Sequence, residues 1–165
     1  MALVLVATAG DSTANTYISL AGAETIVLEY LSHITSGWSA AASDGIKNIA
    51  LVQATHDIDT LRLSGDKYYT GVEDADDYQP LHFPIKDQLI IPAKVERATV
   101  LQACFLLRSG EAAQVTSDTM AGGITNRGTS RYSETLNKYN ASVVCPEARR
   151  ELKPWIITTI RIERG

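Results

Sequence analysis

Ile91-Pro92-Ala93-Lys94-Val95-Glu96-Arg97-Ala98-Thr99-Val100-Leu101-Gln102-Ala103-Cys104-Phe105-Leu106-Leu107-Arg108 is the stretch on which the fold turns. Pro92 is tolerated in the first turn of a helix, where its missing N–H would have no intrahelical partner. The spacing beyond it predicts a helix that runs to about Arg108. Val95, Ala98, Leu101 and Phe105 recur at helical spacing on one face, while Val100, Cys104 and Leu107 define another. A helix that is apolar on two sides must be covered on two sides. It is expected either in the middle of a bundle or at a contact between subunits.

Working outward toward the N-terminus, Leu20, Ala23, Val27, Tyr30, Leu31 and Ile34 follow the spacing of one helix face, with Ser19 placed as N-cap. Thr35 to Ser43 is small and polar around Gly37 and Trp38 and reads as a connection, with Trp38 capping the bundle end. Ser43 and Asp44 start a second helix carrying Ile46, Ile49, Ala50, Ala54, Ile58 and Leu61, which ends near Ser64 and Gly65. Gly65 to Gln88 has two glycines, two prolines and no sustained period, the pattern of a long loop. Before all of these, Ala2 to Ala7 reads as a strand or extended arm, as free to pair with a neighbour's edge as with its own chain.

Toward the C-terminus, Gly110 to Ser142 is dominated by Ser, Thr, Asn and Gly, with weak alternation from Ile124 to Tyr132, and predicts a protruding loop or irregular hairpin. Pro146 opens a short helix through Lys153, and Pro154 stops it. Trp155 to Ile162 alternates apolar and polar residues with strong β-branching, as a strand or extended tail does. The expected fold is mainly α: a small bundle of three to four helices with an extended N-terminal arm, a long polar loop or hairpin and a C-terminal β-like tail. One domain fits the 165 residues. Its parts are an arm (1–18), a helical core (19–109), a flexible loop or hairpin (110–145), and a short helix plus extended tail (146–165).

Fifteen basic against nineteen acidic side chains leave a formal charge of −4, the opposite of the footprint that gives general duplex affinity. Arg149, Arg150, Lys153, Arg161 and Arg164 interleave with Glu147, Glu151 and Glu163, so they read as a mixed solvated face. Cys104 and Cys145 have no CxxC spacing and are expected to be reduced. Met1 to Val6 is too short for a signal peptide or a membrane span, so neither export nor a membrane partner is expected.

Gly122-Gly123-Ile124-Thr125-Asn126-Arg127-Gly128 lacks the G-K-[ST] of a phosphate cradle and reads as a loop. No G-x-S-x-G, H-E-x-x-H, zinc-spaced or EF-hand pattern occurs, so no catalytic residue, cofactor or metal site is assigned. His33 with the pair His56-Asp57 looks like the H…HD set of metal-dependent phosphohydrolases, which also needs a later acidic ligand. Glu96 and Asp87 are the residues available for that role, and a solvent-exposed His56 is the plainer reading. Two other groups are candidates for contact. Glu73, Asp74, Asp76 and Asp77 form an acidic loop that is exposed or faces a DNA passage. Trp155, Ile156, Ile157, Ile160 and Ile162 either fold back into the core or dock on a partner.

The apolar opening followed by Ala14-Asn15-Thr16-Tyr17-Ile18-Ser19-Leu20 resembles the start of small neck proteins of tailed bacteriophages, the head-to-tail adaptor or head completion proteins. Some of these are described as DnaT-like single-stranded DNA-binding proteins. Gln53-Ala54-Thr55-His56-Asp57-Ile58-Asp59, Leu81-His82-Phe83-Pro84, Ile91-Pro92 with Val95 and Ala98, and the proline-marked piece from Pro146 to Trp155 are similar to family segments in the same order. Gly22 departs from an acidic residue usual in the family, Phe83 from a tryptophan, and Gly110 to Ser142 matches poorly. The resemblance implies a structural virion protein at the portal vertex, made in the bacterial host cytoplasm. Its partners would be the portal protein, a tail or stopper protein and its own copies, in a ring of about a dozen. DNA would be only passing cargo in the channel, for which an acidic chain is suited because it offers few phosphate contacts. The alternatives are a single-stranded DNA-binding module, though a basic groove and regularly spaced aromatic platforms are missing, and the metal phosphohydrolase.

Overall fold

A computed structural model describes residues 3–30, 32–41, 43–69, 78–86, 88, 90–121, 126–129, 132–135 and 144–157, with side chains up to 108 and from 144 onward. The fold is mainly α. Five helices are described: α1 (Leu20–Val27), α2 (Ser32–Ala40), α3 (Asp44–Asp59), α4 (Ala93–Ala121) and α5 (Pro146–Leu152). A two-stranded antiparallel hairpin, β1 (Asn126–Thr129) with β2 (Tyr132–Thr135), pairs Asn126 with Thr135 and Thr129 with Tyr132.

Local chemistry starts three of the helices where the sequence indicates. Ser19 accepts from the Gly22 N–H at 3.2 Å, Ser43 accepts from the Ile46 N–H at 3.4 Å, and proline stands in the first turn of α5. Helix α5 ends at Leu152, ahead of Pro154.

Tertiary packing redraws the other boundaries, and five helices replace the expected three to four. The first helix stops at Val27, and 32–40, read above as the end of that helix and the start of the connection from Thr35 to Ser43, is α2. Its Ser, Thr and Gly residues favour a helix weakly, so it depends on burying Trp38 and Gly37. Helix α3 ends at Asp59, short of Ser64. Its buried stripe is Ala50, Leu51, Ala54, Thr55 and Ile58, which leaves Ile49 off the stripe and Ile46 in the first turn, both exposed. The 110–145 loop is also corrected: α4 continues through Gly110 to Ala121, because one glycine costs a growing helix only about 1 kcal/mol. The hairpin falls within the rest of that segment.

Helix α4 packs against α1, α2, α3 and α5. Val95, Ala98 and Leu101, with Phe105 at the margin, meet Tyr17, Ile58, Phe83, Ala148 and Leu152. Val100, Ala103 and Cys104, with Leu107 at the margin, meet Ile18, Ala23, Trp38, Leu51 and Ala54. Both faces are thus covered by the same chain. Helix α4 is the centre of a bundle over this length, and the subunit-contact reading of these two faces is set aside because their apolar area is already buried.

The arm is extended, and among the described residues it joins no sheet. Asn15 fastens it: the Val6 N–H donates to Asn15 Oδ1 at 2.9 Å, and Asn15 Nδ2 donates to the Val4 carbonyl at 2.9 Å. At the other end, the tail returns to the core. Ile156 bridges Leu63 antiparallel, the Ser64 N–H donates to the Trp155 carbonyl at 2.7 Å, and the Ile157 N–H donates to the Arg62 carbonyl at 2.9 Å.

Candidate functional site

Two buried polar clusters and one open groove carry most of the polar chemistry of the described residues. The first cluster links three helices. Gln102, fully buried on α4, donates to Asp57 Oδ2 on α3 at 2.8 Å, and its Oε1 accepts from the Cys145 N–H at the start of α5, also at 2.8 Å. The other oxygen of Asp57 accepts from Gln53 at 2.9 Å. A buried carboxylate is tolerated only when such donors replace water.

The second cluster joins the start of α1, the end of α3 and the 79–85 loop. The Tyr17 hydroxyl donates to Asp59 Oδ1 and accepts from the His82 N–H at 3.1 Å. Asp59 Oδ2 accepts from that same N–H at 3.1 Å. Burial, and then the Asp59 carboxylate, holds the Tyr17 phenol well above its ordinary value. Burial also raises Asp59, against the hydrogen bonds from Tyr17 and His82. Below this cluster, Phe83 packs edge-to-face against Tyr17 at 5.8 Å and Trp155 at 5.5 Å. Gln79 supports the loop from within by donating to the carbonyls of Leu81, His82 and Pro84.

These contacts place several of the motif segments quoted above. Tyr17, Asp59, His82 and Phe83 come together in one cluster; Gln53 and Asp57 reach Gln102; and Phe83 touches Trp155. These motif segments are fasteners of the core. Only Gln102, a long amide next to Leu101 in an apolar helix, carried a sequence signal of its role. Tyr17 and Asp59 carried none, since they meet across 42 residues of chain.

The groove, about 640 Å³ and open to solvent, lies between the arm and α1. Leu5 and Ala7 line it from the arm, Ile18, Gly22 and Ile26 from α1 and the turn before it, and Glu96 from the first turns of α4. Burial raises the Glu96 carboxyl, with Arg97 opposing.

Of the tail residues, Trp155 and Ile156 are half-buried against the core, while Ile157 is 42 % exposed. Ile160 and Ile162 lie outside the described residues, as do Glu73, Asp74, Asp76 and Asp77. For the phosphohydrolase set, His33 and His56 are exposed, Asp57 is buried against Gln102, and Asp87 lies outside the described residues. His56 and Asp57, about 100° apart on α3, therefore point one to solvent and the other into the core. Among the described residues no group of three or more His, Cys, Asp or Glu side chains could hold a metal. Among the same residues no helix is long and apolar enough to cross a membrane. The chain matches no protein-family model, and no curated protein or solved structure is significantly similar to it.

Proposed function

We propose that this protein is a structural component of a tailed-phage neck, a head-to-tail adaptor that forms a ring on the portal protein, continues the DNA channel and receives a tail or stopper protein. The observation that carries this reading is the interlocking of the motif segments: Tyr17, Asp59, His82, Phe83 and Trp155 in one chain of contacts, with Asp57, Gln102 and Cys145 in another. Segments that resemble the family in order along the chain serve a single core, as expected if the resemblance is one of fold. On this reading the titratable groups hold the bundle together, and partner contacts fall to the arm, Ile157, Ile160 and Ile162, with Glu73, Asp74, Asp76 and Asp77 as an exposed or channel-facing loop. A neck protein works by presenting surfaces in a fixed array, and it needs no catalytic residue or cofactor.

Light scattering tests the reading directly. The purified chain, mixed with the portal ring of the same particle, is expected to join it in about a dozen copies. A chain that stays indifferent to the portal at micromolar concentration overturns it.

A further inference from the structure

Asn15 and Thr16 hold one edge of the arm at Val4 and Val6, and on the other edge Asn48 Nδ2 donates to the Leu3 carbonyl at 3.4 Å. The Val4 and Val6 carbonyls and the Val6 N–H are engaged by Asn15 and Thr16. In an extended chain the groups of the intervening residues point the other way, and no described partner bonds the backbone of Leu5 or Ala7. The same two residues form a wall of the groove, whose far side is Ile18 and Ile26 and which also holds Glu96. No described cation makes an ion pair with Glu96. The groove thus offers unpaired main-chain groups, apolar side chains set among Thr8, Ser19 and Thr25, and one half-buried acid. These are the features by which an added strand is held: backbone bonds for affinity and alternate side chains for specificity.

The chain itself contains a segment with the complementary pattern. Thr158-Thr159-Ile160-Arg161-Ile162-Glu163-Arg164-Gly165 follows the last described residue, and its period of two places Ile160, Ile162 and Arg164 on one side of an extended strand. Two branched apolar side chains followed by a cation match the apolar side chains of the groove and its carboxylate. Eight residues in extended form reach about 26 Å.

We propose that the groove receives residues 158–165 of a second copy of the chain, laid along the free edge of the arm at Leu5 and Ala7, with Ile160 and Ile162 against the apolar side chains and Arg164 at Glu96. The inference rests on the ring reading, in which each copy has a neighbour on either side. A tail passed from one copy to the next is a head-to-tail contact, the kind that closes a ring.

The test uses the full chain and a fluorescein-labelled peptide of residues 156–165, without portal. Saturable binding is expected, weakened about tenfold by Glu96→Lys and recovered when the peptide carries Arg164→Glu. The recovery also shows that the Glu96→Lys chain is folded. No saturable binding up to about 1 mM, or binding indifferent to the charge exchange, overturns the inference. Oxidative cross-linking then identifies the donor copy, since Cys104 and Cys145 are buried. An Ala7→Cys chain mixed with an Ile162→Cys chain is expected to give a disulfide-linked dimer. A chain carrying both substitutions that cross-links only to itself overturns the second-copy assignment. If the chain joins the portal but ignores the peptide, the tail inference fails and the ring reading stands. If it binds the peptide but ignores the portal, the ring reading fails instead.

Discussion

Gln102 holds Asp57: the amide nitrogen of one lies 2.8 Å from a carboxylate oxygen of the other, in a core where Gln102 is fully buried and Asp57 is 6 % exposed. Because the Gln102 oxygen is bonded to the Cys145 N–H, the amide orientation is set, and a single side chain ties α3, α4 and α5 together.

Replacing Gln102 by methionine keeps the volume but leaves an Asp57 oxygen and the Cys145 N–H without these partners. Breaking such a buried, charge-assisted bond costs about 2–4 kcal/mol. Urea denaturation should show a lower midpoint with an unchanged slope. Pairing Gln102→Met with Asp57→Asn should cost less than the sum of the two single changes, because both act on one network.

Gly37→Ala reverses an ordinary expectation. In a helix this exchange normally stabilises by about 1 kcal/mol. Here the added Cβ would stand 2.4 Å from the Arg108 backbone nitrogen and 2.7 Å from the Cys104 carbonyl oxygen, both on α4. Backbone cannot rotate away, so α2 must shift from α4, at a cost of about 2 kcal/mol or more. Trp38, the next residue and almost fully buried, should report the shift as a red-shifted fluorescence maximum.

Alkaline pH should destabilise the protein from about pH 9 upward. Burial pushes the Cys145 thiol up to about 11 and the Cys104 thiol up to about 12, and it raises the Tyr17 phenol as well. Each group has a folded value above its unfolded one, so the folded state binds more protons in this window and stability falls as pH rises. Their contribution is complete below the ordinary thiol value and is lost on passing through the folded values. Comparing urea midpoints at about pH 8 and pH 10.5 checks the slope, and Tyr17→Phe should make it shallower.

The two thiols should also be inert while the chain is folded. A thiol reagent at about pH 8 is expected to modify neither Cys104 nor Cys145 in the native protein and both in urea, because the thiolate is the reacting species.

Trp155→Ala and Ile157→Ala should separate core from surface within three residues. Trp155 is half-buried with its ring on Phe83, and its truncation should cost about 2 kcal/mol in thermal or urea unfolding. Ile157 is 42 % exposed, and its truncation should cost under about 1 kcal/mol. If Ile157 serves partner contact, its loss appears in portal association instead.

By itself, the sequence determined the helix starts at Ser19, Ser43 and Pro146 and the two-faced character of α4. Capping is settled by atoms within three or four residues, and apolar spacing reflects the helical period. Only the tertiary structure decided that 32–40 is helical, since Gly37 finds its reason at Cys104 and Arg108 on α4, about 70 residues away in sequence. It likewise decided that Trp155 and Ile156 return to the core, where the alternation of the tail was equally compatible with a partner's surface. Tyr17 reaches Asp59 across 42 residues and the His82 N–H across 65, and no local pattern encodes either contact. Residues close in sequence choose their conformation by local bonds. The pairing of buried polar groups is chosen by whatever the completed packing brings within reach.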